Sequence, residues 1–289
     1  MAGPAAIAEI ISSSFGLDAP PEPLDEVVLR IIREHPEWGG VPEDKASLYL
    51  PKVQQILLKN WNTTMQEGKQ PRFAFNSVSS YKIQGACFVE PRDTEEVKGQ
   101  KRRRFYWVDY YEHLRTLNPE SFEKLCARVL ALLGVAQPHQ TPYRKDQGID
   151  FFGKMSVGDL TGHGPLYPIF ESRLIFWLIG QAKHYLHSKV STPDIRELVG
   201  STLLGRSRTF PSEDILKNLE IRTCDPVIML FFTTGQVSSD GWLLCRKAGI
   251  AAMDGEMLAS FLADKQVGVI EDELGRRFDK KAFSDWLMA

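Results

Sequence analysis

The hydrophobic positions of this chain change rhythm several times, and each rhythm predicts an element. Residues 1–23 open on small apolar residues and close on Ala19-Pro20-Pro21-Glu22-Pro23, which reads as a short helix or arm followed by a turn. Leu24, Val27, Val28, Ile31 and Ile32 then recur at helical spacing until His35-Pro36 closes the pattern. A second helix is predicted from near Pro51 to before Gly68, with Val53, Ile56, Leu57 and Trp61 turned inward. Strand-like runs follow at 73–78 and 86–90, and again at Arg104-Phe105-Tyr106-Trp107-Val108, which is rich in β-formers. Helices followed by a hairpin with a basic tip predict a smaller α+β domain over residues 1–115, resembling a winged helix.

A second region, 116–289, begins more sharply. Asn118-Pro119-Glu120 combines an N-cap residue, a proline at the first helical position and an acid in the first turn. Phe122, Leu125, Val129 and Leu132 are expected to face a core, and Gly134 to stop the helix. Strands are predicted at 140–144, 149–154, 174–183 and 227–233. A helix opens at Thr192-Pro193 with Ile195, Leu198, Val199, Thr202 and Leu203 on one face. Another helix, a short strand at 250–253 and a helix over 254–262 finish the pattern. Strands interleaved with helices that must cover both faces give an α/β/α sandwich.

Composition narrows the function classes. The chain has 289 residues, 43% hydrophobic and 25% charged, in the range of a soluble globular protein. The net charge of −2 excludes a global positive field for nucleic acid, so any DNA-binding surface has to come from local clustering. Cys87, Cys126, Cys224 and Cys245 are too scattered for zinc-motif spacing and fit reduced thiols in a cytoplasmic protein. The N-terminus has no basic region followed by an apolar core, so no secretory signal is expected. The apolar stretch 174–180 is too short to span a bilayer, so no membrane association is expected either.

Three segments carry candidate chemistry. On the 118–134 helix, Glu120, Lys124 and Arg128 form a charged outer stripe, whereas Glu123 is off that stripe and nearer the apolar side. A carboxylate there either snorkels to water or needs a partner. In Asp146-Gln147-Gly148-Ile149-Asp150, Asp146 suits a turn cap. Asp150 sits between Ile149 and Phe151-Phe152, where an acid is costly unless it is paired or binds metal. In Ile179-Gly180-Gln181-Ala182-Lys183, strand alternation puts Gln181 and Lys183 on one face. Phosphodiester hydrolysis needs a divalent cation to activate water and neutralise the phosphate, and Mg²⁺ prefers oxygen donors. Asp150, Glu123, the Gln181 amide and the Ala182 carbonyl are the candidate donors. Lys183 is the candidate to hold the attacking water or the developing charge.

The Phe122-Glu123 helix, the Gly148-Ile149-Asp150 strand and the Gln181-Ala182-Lys183 strand resemble the Mrr-like restriction endonucleases, a branch of the PD-(D/E)xK nucleases. Leu230-Phe231-Phe232-Thr233-Thr234-Gly235-Gln236 and Gly249-Ile250-Ala251-Ala252-Met253-Asp254-Gly255 extend the match over about 118–265. The resemblance implies a restriction-endonuclease-like α/β/α sandwich with a mixed central sheet. It also implies Asp150 and Lys183 as the core pair, Gln181 in place of the usual second acid, and Glu123 as an accessory acid. Where this family usually has a tight hairpin, the stretch 151–180 carries a glycine- and proline-rich insertion over 153–173.

Lys98, Lys101, Arg102, Arg103 and Arg104, followed by aromatic residues, are the candidates for phosphate contacts. His184, His187, Arg206 and Arg208 are further candidates to contact substrate. The expected protein is a cytoplasmic endonuclease that cleaves DNA with Mg²⁺ (or Mn²⁺) in defence against foreign or modified DNA. Cutting both strands together needs two sites, hence a homodimer or higher oligomer in the active state. Two rivals stay open: an inactive nuclease-fold module that binds DNA or senses a signal, and a partner-activated effector that cuts DNA or RNA.

Overall fold

A computed structural model describes residues 3–141, 148–156, 174–207, 218–273 and 275–289. Contact density divides the chain into two units, Met1–Val108 with Ser260–Gln266, and Asp109–Ala259 with Val267–Ala289.

The first unit is built on helices α1 (Pro4–Ser14), α2 (Leu24–Glu34) and α3 (Pro42–Gln66). Leu24, Val27, Val28, Ile31 and Ile32 are all buried, as their spacing predicts, and they share a core with Ile7, Ile11, Val53, Leu57, Phe73 and Ile83. Strands β1 (Glu22–Pro23), β2 (Phe73–Phe75) and β3 (Lys82–Gly85) form an antiparallel sheet in the order β1-β3-β2.

Several expectations for this unit need correction. Helix α3 starts at Pro42 instead of Pro51, with Glu43 and Asp44 in its first turn and Pro51 inside it. Of its first nine residues only Ala46 is buried, so the apolar rhythm there is too weak to announce a helix. No strand forms at 86–90. The Ala86 and Cys87 amides donate instead to the carbonyls of Arg72 and Leu17, and Phe88 closes a turn on Gly85.

The basic run is not a hairpin tip; it ends helix α4 (Glu95–Arg104). Thr94 caps that helix, accepting from the Val97 amide. Glu95 and Glu96 lie in its first turn and four basic residues in its last, the charge order that a helix dipole favours. The β-formers that follow belong to α5 (Trp107–Thr116), where Trp107, Tyr110 and Leu114 are buried at spacings of three and four. Burial of that helical stripe overrides the β-propensity of the single residues.

The second unit holds a five-stranded mixed sheet. Its strands are β4 (His139–Gln140), β5 (Phe151–Met155), β6 (Phe176–Lys183), β8 (Val227–Thr233) and β10 (Ala251–Met253), in the order β10-β8-β6-β5-β4, while β7 (Lys189–Val190) and β9 (Gln236–Val237) form a separate parallel pair. β6, β8 and β10 run parallel, while β5 is antiparallel to both β6 and β4. The parallel pairs need crossovers, which α7 (Thr192–Arg206) and α8 (Ser239–Ala248) supply. Phe152, Trp177, Ile179 and Phe231 pack with Ile195 and Leu198 of α7 and Cys245 of α8. On the opposite face, Phe151 stacks on Phe232 at 5.3 Å. Gly153 there lies under Val135 and under Leu130 of α6 (Pro119–Leu132). The result is the mixed α/β/α architecture that the sequence predicts.

α6 begins and ends as expected: Asn118 accepts from the Ser121 amide, and Gly134 takes a φ of 103°. Its outer stripe is not bare. Lys124 and Arg128 reach Met288 and the Trp286 carbonyl of α10 (Lys280–Met288). Leu203, expected on the inner face of α7, is 61% exposed. The element pattern also continues past α9 (Gly255–Asp264), through a hairpin of β11 (Val269–Asp272) and β12 (Gly275–Phe278) and then α10. Those strands carry Glu271, Asp272, Arg276 and Arg277, too polar to show an apolar alternation.

Within this unit His113 of α5 is buried against Phe278 and Phe283, and its Nε2 has no hydrogen-bond partner among the described residues. Burial, with the charge of Lys280 acting in the same sense, holds the imidazole below its ordinary value of 6.5. The unfolded chain therefore takes up a proton there before the folded chain does. Stability is full above the unfolded value and falls as pH drops below it toward the folded value. The urea midpoint is expected to decline on acidification from pH 7, and His113→Leu to flatten that decline. An unchanged slope in the variant would assign the acid sensitivity to other groups.

Candidate active site

The pairing of β5 with β6 reaches Phe151 opposite Gly180, and Asp150 stands one residue beyond that rung. Its backbone still serves both neighbours: the Asp150 amide donates to the Gly180 carbonyl, and its carbonyl accepts from the Thr141 amide. The Asp150 side chain takes over where the ladder stops, with Oδ2 accepting from the Ala182 amide at 2.6 Å. The N–H and C=O of a residue in a strand point to the same side, so the Ala182 carbonyl is turned toward Asp150 as well. Asp150 is buried, at 3% exposed.

What keeps this joint tight is a glycine. A Cβ on Gly180 would lie 2.1 Å from the Phe151 ring, so the ring lies flat over the strand at that point. The rung next to Asp150 is thereby fixed by close packing.

Gln181 is fully buried, and neither Oε1 nor Nε2 has a hydrogen-bond partner among the described residues. Alternation puts it on the side of Ile179, the α7 side, together with Lys183. A buried amide with both ends unmatched costs roughly 1–3 kcal/mol per group. An orphaned polar pair of this kind marks a place where an unseen ligand or water belongs.

Lys183 Nζ donates to Glu197 Oε2 of α7 at 3.0 Å. Burial works against the ammonium. The hydrogen bond to Glu197 and its charge, with Asp150 behind them, outweigh burial and hold Lys183 above its ordinary value. The start of α7 is tied to the loop after Lys183: Asp194 accepts from the Ser191 amide and hydroxyl and from the Tyr185 hydroxyl.

Glu123 is 7% exposed, so it does not snorkel to water. It stands on α6, three residues before the buried Cys126. Burial, then the charges of Asp150 and Glu123, push that thiol well above its ordinary value, so it stays protonated. The charge of Asp150 thus acts on both Cys126 and Lys183, raising each.

The donor set has the chemistry of a hard-cation site: two carboxylates, an unmatched amide and a backbone carbonyl, all oxygen. Among the described residues no group of three or more His, Cys, Asp and Glu side chains is gathered for a metal. A cation held through one or two carboxylates and several waters does not require one. Asp150, Ala182 and Gln181 are the groups that could hold it, with Glu123 able to join directly or through water.

The remaining candidates divide. Lys98, Lys101 and Arg104 each pair with a carboxylate of their own unit, Glu95, Asp93 and Asp264, at 2.8 Å. Arg102 is exposed, and the Nε of Arg103 is buried without a hydrogen-bond partner among the described residues. Arg206 donates to the Asp225 carbonyl at 2.5 Å. His184 lies edge-on to Phe122, while His187 is exposed. Asp146, Arg208 and residues 157–173 of the insertion lie outside the described residues.

Sequence reading missed Glu197, Tyr185 and Asp194. A signal was available: a lysine ending a buried strand needs an acid, and the next helix supplies Glu197.

Residues 114–208 match the model of a family described as restriction endonuclease. No curated protein matches the chain. Among solved structures, the MspJI restriction endonuclease in complex with a 27-mer oligonucleotide is 17% identical, with a TM-score of 0.37, covering 62% of this chain and 36% of that one. The restriction endonuclease FokI bound to DNA is 11% identical, with a TM-score of 0.33, covering 91% of this chain and 44% of that one. The chain therefore spans less than half the length of either structure. Domains of the matched family generally use divalent metal ions. The matched stretch 114–208, which carries Asp150 and the Gln181-Ala182-Lys183 segment on the mixed sheet, is similar to restriction endonucleases of the Mrr type.

Proposed function

We propose that this protein is an endonuclease that hydrolyses DNA phosphodiester bonds with Mg²⁺ (or Mn²⁺), in defence against foreign or modified DNA. The observation that carries the reading is the joint at the end of β5, where the Asp150 carboxylate is locked on the Ala182 amide beside the unmatched amide of Gln181. A bound divalent cation supplies an activated water and charge neutralisation on the phosphate. The chain's own part is positional. Asp150 and the Ala182 carbonyl present oxygen donors from fixed backbone, Gln181 adds a neutral one, and Lys183 keeps a positive charge beside them. An ammonium held charged there can hold a water or oppose negative charge growing on the phosphate.

Cleavage of both strands calls for two copies of this site, so the active form is a dimer or larger, working in the cytoplasm. The test is supercoiled plasmid, modified and unmodified, incubated with the purified protein in Mg²⁺, in Mn²⁺ and in EDTA. Nicking or linearisation that disappears in EDTA supports the reading, and full activity in EDTA refutes the metal.

DNA contact by the first unit is assigned to α4. Replacing Lys101, Arg102, Arg103 and Arg104 by Ala is expected to weaken binding across sequences. It should also flatten the log–log salt dependence by roughly one unit per lost phosphate contact. Because Lys101 and Arg104 are already neutralised by Asp93 and Asp264, Arg102 and Arg103 should carry most of the change. Affinity measured against salt decides the point; an unchanged slope with unchanged affinity would make α4 a structural helix only.

A further inference from the structure

Glu197 is assigned no role by the family resemblance, yet it meets both Lys183 at the end of β6 and the turn that leads into Asp150. Its Oε2 accepts from Lys183 Nζ at 3.0 Å. Its Cγ lies against Gly148, where a built Cβ would be 3.1 Å away, with Ser201 Oγ at 2.4 Å. Gly148 has a φ of 77°, a left-handed conformation that favours glycine, and it stands two residues before Asp150. One side chain of α7 therefore braces the turn into Asp150 with its stem and holds the Lys183 ammonium with its head. The capping box of Ser191 and Asp194 fixes the start of that helix, so the brace rests on a rigid support.

An ammonium has three donors, and Glu197 uses one, leaving the others for a water or a phosphate oxygen. The side chain of Glu197 is 47% exposed and that of Lys183 is 21% exposed. The carboxylate thus approaches the lysine from the solvent side of the pair.

We propose that Glu197 is a positioning residue for the phosphodiester reaction, fixing the Lys183 ammonium next to Asp150 without contacting substrate. The inference rests on the nuclease reading given above. Released from Glu197, the four-carbon stem of Lys183 regains its rotamers, and the ammonium leaves the place where charge develops. Misplacement by about an ångström is enough to cost on the order of a hundredfold in rate.

The experiment compares wild type, Glu197→Ala and Glu197→Gln as full chains on supercoiled plasmid in Mg²⁺. In parallel, NMR relaxation is recorded on ¹³Cε-labelled lysine, with Lys183 assigned through Lys183→Arg. Glu197→Ala should lower kcat about 10- to 100-fold at unchanged KM, and should mobilise the Lys183 Cε. Glu197→Gln keeps an oxygen that accepts from Nζ, so it should recover most of kcat and of the order. An unchanged kcat in Glu197→Ala, or a Lys183 Cε as ordered as in wild type, overturns the proposal. If wild type cleaves no DNA in Mg²⁺ or Mn²⁺, the nuclease reading falls by itself. The hold on Lys183 is then decided by the relaxation data alone: mobilisation keeps it, and no change removes it.

Discussion

Asp150→Asn is expected to reduce plasmid nicking about a hundred- to a thousandfold while leaving the fold in place. The substitution separates the two things Asp150 does. An asparagine oxygen can still accept the Ala182 amide, which now donates at 2.6 Å, so the end of the β5–β6 ladder keeps its last hydrogen bond. What disappears is the negative charge, and with it the field that acts on Lys183 and, on the mechanism proposed above, the affinity for a divalent cation. Asp150→Ala is the less informative change, because it also leaves a buried backbone N–H unmatched. Two measurements check the expectation together: nicking rate at saturating Mg²⁺, and Mg²⁺ affinity by calorimetry. Wild-type rates in Asp150→Asn would remove this residue from the chemistry and the proposed mechanism with it. Glu123→Gln should reduce nicking less than Asp150→Asn, since Glu123 stands on α6 and is proposed to reach the cation directly or through water.

The largest structural effect is expected from Phe151→Ala, at about 3–5 kcal/mol of stability. Phe151 is fully buried, stacked at 5.3 Å and 16° on Phe232, with its ring over the bare backbone of Gly180. Truncation leaves a cavity between α6 and the sheet that neither Gly180 nor the neighbouring strands can fill. It also loosens the rung next to Asp150, so nicking should fall even under conditions where the variant is folded. The converse change, Gly180→Ala, drives a methyl into the ring and should cost about 1–3 kcal/mol. Urea midpoints give both numbers, and Phe151→Leu serves as a folded variant if Phe151→Ala is too unstable to purify. A loss below about 1 kcal/mol for Phe151→Ala would mean that the ring does not support this joint.

The structure and the sequence agree most closely where a local rule is strong. The five apolar residues of α2 lie on one stripe, and a stripe has only one way to be buried. Asn118-Pro119 sets the start of α6 through a cap that needs only neighbouring residues. The run 227–233 fills β8 because a strand covered on both faces by helices is apolar throughout. Agreement fails where local preference is divided or weak. Residues 104–108 carry β-forming side chains, yet Trp107, Tyr110 and Leu114 find burial only as a helix. The basic run therefore ends a helix and pairs with Asp93 and Asp264 instead of projecting from a hairpin. The polar strands β11 and β12 leave no alternation to read.

The same division runs through the site. Sequence alone selects Asp150, Gln181 and Lys183, because an acid, an amide and a lysine inside strongly apolar strands are costly unless something compensates them. It cannot say what compensates them, because the compensating groups come from distant parts of the chain. The Asp150 carboxylate meets the Ala182 amide only through the register of β5 on β6. Glu197 reaches Lys183 only because α7 crosses back over the sheet to join parallel strands. Burial leaves the Gln181 amide without a partner among the described residues, a fact about space that no spacing in the sequence encodes. Side-chain type and periodicity are properties of neighbouring residues and are fixed by the chain itself. Register, crossover and packing join residues far apart in sequence, and these are what the tertiary structure decided.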